Sequence, residues 1–345
     1  MATGSFFVLG AGLLLCLLIA GVESIGVCYG INGNGLPALK DVVGLYQSHH
    51  IGAMRMYFPD QGTLQALRGT NIGVIVDVDD SNIAALASSA DAAKGWVNAN
   101  IIPFPDVAIR YIAVGNEIIP GNLAQFVLPA MQNIQNALNA ANLQNKIKLC
   151  LLTCKWKWKV STSVSTGVLG VSYPPSAGAF TDDARNYLQP IAGFLSGTGA
   201  PLLVNINPYF SYIGNPGQIP IEYALFTSAG PVITDGNLRY QNLFDAILDS
   251  TYSALEKVGA GGVRVVVSES GWPSDGGQAA SPQNAQTYVQ NLIGHVGNGT
   301  PKRPGAIETY IFAMFDEDRK QPQGTENHYG LFYPNMQPKY NLNVF

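Results

Sequence analysis

Charge is scarce in this chain: 12% of its 345 residues are Asp, Glu, Lys or Arg, and its formal net charge is −4. Nothing supplies the basic face that nucleic acid requires, so nucleic acid is not expected as a partner. No run of like charges marks a solvated tail or a membrane-surface patch. Histidine is rarer still, four residues without an HxxxH pair, which argues against a zinc hydrolase. Cysteines also number four: Cys16, Cys28, Cys150 and Cys154. Loss of an N-terminal leader would take Cys16 and leave an odd number, so no disulfide framework is implied. Cys28, in an apolar strand, reads as a small buried hydrophobe. Cys150 and Cys154 lack a second Cys/His pair, so no metal site is expected there.

Long hydrophobic runs are confined to the N-terminus. Phe6 to Ala20 is densely apolar but short for a membrane span of about 20 residues. Val22 and Ser24 follow it where small residues precede a signal-peptidase cut. Residues 1–24 therefore read as a signal peptide, and 25–345 as one exported domain, free of the membrane after cleavage. Asn298-Gly299-Thr300 is a glycosylation sequon in such a chain.

Glycine (38), proline (21) and hydrophobic residues (47%) are abundant, the composition of a globular chain with a large core and many turns. Short apolar, β-branched segments recur: Ile25 to Gly30, Ala53 to Phe58, Ile72 to Asp79, Ile109 to Glu117, Lys159 to Val164, Pro201 to Tyr209, Val263 to Ser270 and Ile307 to Phe315. Strands that are apolar on both faces belong to parallel sheets. Helix-like stretches separate them, so the fold class is α/β, a (β/α)8 TIM barrel. Between the sixth and seventh strands the chain is longer than one helix needs. Tyr223–Phe226 and Pro231–Asp235, joined by TSAG, read as a hairpin forming a small excursion on the working face.

A barrel places its chemistry at the C-terminal ends of its strands. Two acids sit there without local cause: Glu117 ends YIAVGNE, and Glu269 ends VRVVVSES. One such acid is a strand-end cap; two, on the fourth and seventh strands, face each other across the mouth. Paired carboxyl groups serve glycosidic bond cleavage, one protonated and one ionised. Arg55 lies inside AMRMYF, where an unpaired guanidinium is costly. A carboxylate at the mouth is its expected partner, favouring the charged form of Glu269, and a structural barrel ion pair is compatible with this.

The stretches VCYGINGNGLP, VGNEI, VNINPYF, VVVSESGWPS and ETYIFAMFDED resemble those of plant family 17 glycoside hydrolases, the endo-1,3-β-glucanases, from about Ile25 to Phe345. The resemblance implies hydrolysis of β-1,3-glucan with retained configuration, Glu117 as acid/base and Glu269 as nucleophile, with neither cofactor nor metal. It also implies that Asn116 hydrogen-bonds the sugar, and that Glu317, Lys320 and Glu326 form a charged cluster beside the cleft. Tyr57, Asn207, Tyr209, Phe210, Trp272, Phe312 and Phe315, at or just beyond strand ends, are candidates for meeting pyranose rings, Trp272 foremost. Hydrolysis of 1,3-1,4-β-glucan is the alternative within the class; a glucan-binding defence protein with little turnover is the alternative outside it.

The chain departs from the family pattern at two places. Asp77-Val78-Asp79-Asp80 stands where Pro and Asn are usual, and reads as a helix cap or a cleft hydrogen-bonding group. Leu149–Lys159 (LCLLTCKWKWK) intervenes before the fifth strand, away from the carboxylates, and reads as a gene-model or splicing product extruded with Trp156 and Trp158 exposed. The ending YNLNVF, without the extension of vacuolar relatives, and a pI near 5.5 lead us to expect the extracellular space; a monomer is also expected.

Overall fold

A computed structural model describes residues 25–141 and 158–342. Eight parallel strands close a barrel in the order β1 (Gly26–Tyr29), β2 (Ala53–Met56), β3 (Gly73–Val78), β4 (Ala108–Asn116), β5 (Lys159–Ser165), β8 (Leu202–Asn205), β11 (Val265–Ser270) and β12 (Thr309–Ile311), which returns to β1. Each coincides with a segment expected from the sequence, β4 starting one residue before its segment and β5 ending one residue after. The near-continuous apolar runs have two destinations. Residues such as Val27, Met54, Val74, Ile112, Val204 and Val265 point outward under the helices. Cys28, Ala53, Ile75, Tyr111, Leu203, Val266 and Tyr310 form a second cluster inside the barrel. Cys28 is a free, buried thiol. Both faces are thus covered, the condition for a parallel sheet.

The return helices are α1 (Leu39–Ser48), α2 (Gln61–Ala66), α3 (Asp80–Ser88), α4 (Ala90–Asn100), α5 (Ala124–Ala140), α6 (Asp182–Thr198), the short α7 (Pro208–Gly214) and α8 (Ile221–Ala224), α9 (Leu243–Lys257) and α10 (Pro282–His295). Their starts are written in the sequence. Asp60, Asp79, Ser89, Thr181, Asn242 and Ser281 each accept a backbone N–H of the first turn that has no helical partner. Asp79 thereby supplies the helix cap expected of the acidic run.

The excursion after β8 differs from expectation. Tyr223–Phe226 is not a strand, since Ile221–Ala224 forms the helical turn α8. The hairpin lies further on, β9 (Ile233–Asp235) against β10 (Leu238–Tyr240). Gly236, at φ +61°, opens the two-residue turn Gly236-Asn237, and this signal is stronger than TSAG. A second ribbon, β6 (Leu169–Val171) with β7 (Ala179–Phe180), was not expected. The Asp235 carboxylate ties the two together by accepting from Ser176 N at 2.6 Å and Ser176 Oγ at 2.8 Å.

Trp158 also departs from expectation. It is half-buried and packs on the main core, while Lys159 opens β5. An indole beside a strand start finds apolar surface to cover. Cys16, Cys150, Cys154, Trp156 and the leader lie outside the described residues.

At the N-terminal end of the barrel, Glu308 is almost fully buried. It accepts from Tyr111 Oη at 2.8 Å, Arg264 at 3.0 Å and Arg110 at 3.4 Å. Several donors around one acceptor offset the cost of burying the charge.

Candidate active site

Alternation alone would point Asn116 and Glu269 the wrong way. On β4, Tyr111 and Ala113 face inward, which would send Asn116 out toward the helices. Opposite β5 the register slips between Ala113 and Asn116, and Gly115 takes φ +85°. That bulge turns Asn116 inward and leaves Glu117 at φ +60°, a rare conformation for a residue with a Cβ. Glu117 N donates to Ser163 O at 2.9 Å, holding the strained residue in place. On β11, Val266 faces in while Val265 and Val267 face out, so Glu269 would also face out. Here the register slips after Val267 against both neighbouring strands. Ser268 and Glu269 consequently both reach the interior.

Arg55, fully buried on β2, is the hub between them. Nη2 donates to Asp77 Oδ2 at 2.7 Å and to Asn116 Oδ1 at 2.8 Å. Nη1 donates to Glu269 Oε1 and to Asn205 Oδ1, each at 2.9 Å. Tyr57 Oη donates to the same Glu269 oxygen at 2.9 Å. With its carbonyl turned to Arg55, the Asn116 amide directs its N–H groups away from the guanidinium. Glu117 is exposed at the mouth, and its Oε1 accepts from Asn205 Nδ2 at 2.7 Å.

Burial pushes the Glu269 carboxyl up to about 7; Arg55 works against the rise, the charge of Glu117 adds to it, and Tyr57 and Lys320 oppose it. The expectation that Arg55 would favour the charged form holds for its own contribution, but desolvation outweighs it. Burial likewise raises Asp77, with Arg55 opposing.

These groups open into a cleft of about 660 Å³. Tyr57, Asn116, Asn207, Phe312, Glu317, Lys320 and Glu326 line it with the two acids, as do exposed Phe58 and Phe210. Asn207 accepts from Gly271 N at 3.1 Å, fixing the chain just beyond Glu269. Lys320 reaches Glu317 at 2.8 Å and Glu326 at 3.6 Å, and its ammonium sits 4.5 Å from the Phe312 ring centre. Glu317 lies so close to the end of β1 that a Cβ at Gly30 would collide with its Oε1.

Three candidates lie elsewhere. Trp272, expected foremost in the cleft, is 1% exposed and packs edge-on against Tyr209 behind the site, with Nε1 donating to Ala279 O at 3.0 Å. Tyr209 is fully buried and donates to Gln278 O at 2.9 Å. Phe315 is buried against Tyr29. Sequence adjacency to Glu269 placed Trp272 near the nucleophile loop without saying which side of it the indole takes. Asn298 is exposed, on the turn after α10.

Sequence reading passed over Asn205, Tyr329 and the pairing of Asp77 with Arg55. Asn205 and Asn207 are both in VNINPYF, and the alternation that turns Leu203 inward was the available signal for Asn205.

Two carboxyl groups converging at the C-terminal mouth of a (β/α)8 barrel, one buried against a guanidinium and one presented outward, define the class: a glycoside hydrolase. The chain belongs to the glycosyl hydrolases family 17, whose model matches residues 25–344. A glucan endo-1,3-beta-glucosidase of Vitis vinifera is 51% identical over 95% of this chain and 94% of its own. The acidic isoform of Zea mays is 55% identical, over 94% and 92% respectively. The basic vacuolar isoform GLB of Nicotiana tabacum is 54% identical over 96% and 89%. Among solved structures, one of two plant β-glucan endohydrolases with distinct substrate specificities superposes with a TM-score of 0.87, at 49% identity, covering 92% of this chain and all of that one. CJP38, a beta-1,3-glucanase and allergen of Cryptomeria japonica pollen, gives 0.87 at 46% identity over 93% and 99%.

Proposed function

We propose that this protein cleaves 1,3-β-glucosidic bonds within β-glucan chains, retaining configuration, with Glu117 as acid/base and Glu269 as nucleophile. The observation that carries the role assignment is the donor set. Glu269 Oε1 receives Arg55 and Tyr57 together, and a guanidinium cannot accept a proton, so both donors pull toward the anion against the burial that raises the group. Glu117 has one oxygen on Asn205 and is exposed to the cleft, where it can hold a proton for a leaving group.

In the first step the proton passes from Glu117 to the glycosidic oxygen while Glu269 attacks the anomeric carbon. The bond to the leaving sugar breaks and a glycosyl ester forms. Glu117, now ionised, then takes a proton from water, whose oxygen displaces Glu269. Esterification removes the negative charge of Glu269, so Glu117 carries its own more easily in the second step. Asn116 offers its N–H groups to the sugar, and Tyr57, Phe58, Phe210 and Phe312 offer ring faces.

The activities for which the relatives are named support the 1,3 linkage. A 1,3-1,4-β-glucan would meet the same carboxyl groups, so substrate choice rests on the cleft's walls. Assay on laminarin against barley glucan decides it: faster turnover of laminarin is expected, and preference for barley glucan would overturn the linkage. Loss of hydrolysis in Glu269→Gln with retained glucan binding is the result expected of an enzyme rather than a glucan-binding protein. We further propose export from the cell, on the N-terminal apolar run and a pI near 5.5. Fractionation of a tagged chain tests this, and retention in the vacuole would contradict an extracellular destination.

A further inference from the structure

Asn205, at the end of β8, is 2% exposed and touches both halves of the site. Its Nδ2 donates to Glu117 Oε1 at 2.7 Å and to Asn116 Oδ1 at 3.0 Å. Its Oδ1 accepts from Arg55 Nη1 at 2.9 Å, and Ser268 Oγ and Ser163 Oγ reach the same oxygen at 2.7 and 3.0 Å. An amide's two ends are similar in size, but here the surroundings separate them. Flipping it would set N–H groups against a guanidinium and a carbonyl against a carboxylate.

We infer that Asn205 is the positioning residue of Glu117, a locked donor that fixes one carboxylate oxygen and stabilises the anion whenever Glu117 has given up its proton. The inference rests on Glu117 being the acid/base. Oε1 is occupied by the amide, so Oε2 carries the proton to the glycosidic oxygen and later receives one from water. The charge left behind is shared with the Asn205 N–H. The two serines and Arg55 do not touch Glu117; they act by preventing the amide from turning.

Asn205→Asp tests this, because it keeps the shape and the oxygen that Arg55 and the serines use but replaces the donor facing Glu117. The expected result is a 10- to 100-fold fall in kcat/KM, on the order of a lost hydrogen bond to a charged group. The basic limb of its pH profile should also move up by about one pH unit, since the anion of Glu117 has lost its donor. The double variant Ser163→Ala/Ser268→Ala leaves Asn205 in place and should move that limb the same way by less. Should Asn205→Asp fail to fold, the serine variant gives the same readout. Activity lost with the limb unmoved in every folded variant would make Asn205 a packing residue and overturn the inference. Full activity in Glu117→Gln would instead sink the acid/base assignment itself, so the two failures are distinguishable.

Discussion

At the scale of single residues, the site turns on how one proton is divided between two acids. As the nucleophile, Glu269 must act as the anion, yet burial holds its carboxyl up at about 7, with Arg55 opposing the rise and the charge of Glu117 adding to it. Activity should therefore climb as pH rises through about 7 and the group ionises. A kcat/KM already at its plateau at pH 5 would contradict this. Stability carries the opposite sign: the raised value makes the group's contribution fullest below the ordinary 4.5 and lost as pH climbs through about 7. The two acids were legible because nothing local explains a carboxylate after a run of apolar residues. Trp272 was misplaced because an aromatic next to a nucleophile can turn toward substrate or toward core, and only packing decides. Phe210→Ala should raise KM with little change in melting temperature, whereas Trp272→Ala should cost about 3–5 kcal/mol of stability. Equal thermal stability of the two variants would refute that division.

At the scale of elements, the barrel strands could be read because burial on both faces leaves continuous β-branched runs. The bulges could not. A register slip is a relation between two strands, and VGNE and VVVSES by themselves alternate in a way that would hide Asn116 and Glu269 under the helices. Gly115 was the available sign, an unexplained glycine just before the acid. Its φ of +85° and the 2.5 Å approach of Ile118 Cδ1 to a built Cβ leave no room for a side chain. Gly115→Ala should therefore lower stability by more than about 1 kcal/mol and depress kcat beyond what partial unfolding explains. Wild-type kcat in the folded fraction would show that the bulge does not aim Glu117. The difference in the hairpin has a simpler origin: TSAG resembles a turn, but Gly236-Asn237 supplies the left-handed residue that a two-residue hairpin loop requires.

Across the whole molecule, the two ends of the barrel divide their work. Arg55, Asp77, Asn205 and the paired acids fill the C-terminal mouth, while Glu308, Arg264, Arg110 and Tyr111 close the opposite end. Glu308→Ala should destabilise by about 3–5 kcal/mol, by leaving guanidinium groups without their anion, while KM for laminarin stays unchanged. A shift in KM without loss of stability would mean that the ends are not separate. Trp158 and Lys159, the described part of the departure from the family pattern, lie where β5 starts, at that same distant end.

The central claim is that Glu269 forms the covalent bond while Glu117 moves the proton. A slow 2-deoxy-2-fluoro laminari-oligosaccharide with a good leaving group should trap the intermediate, and peptide mapping by mass spectrometry would locate it. The predicted result is one glycosyl unit on the peptide carrying Glu269, absent in Glu269→Gln and still formed in Glu117→Ala. A label on Glu117, or turnover with no covalent species and an α-configured first product, would contradict the account.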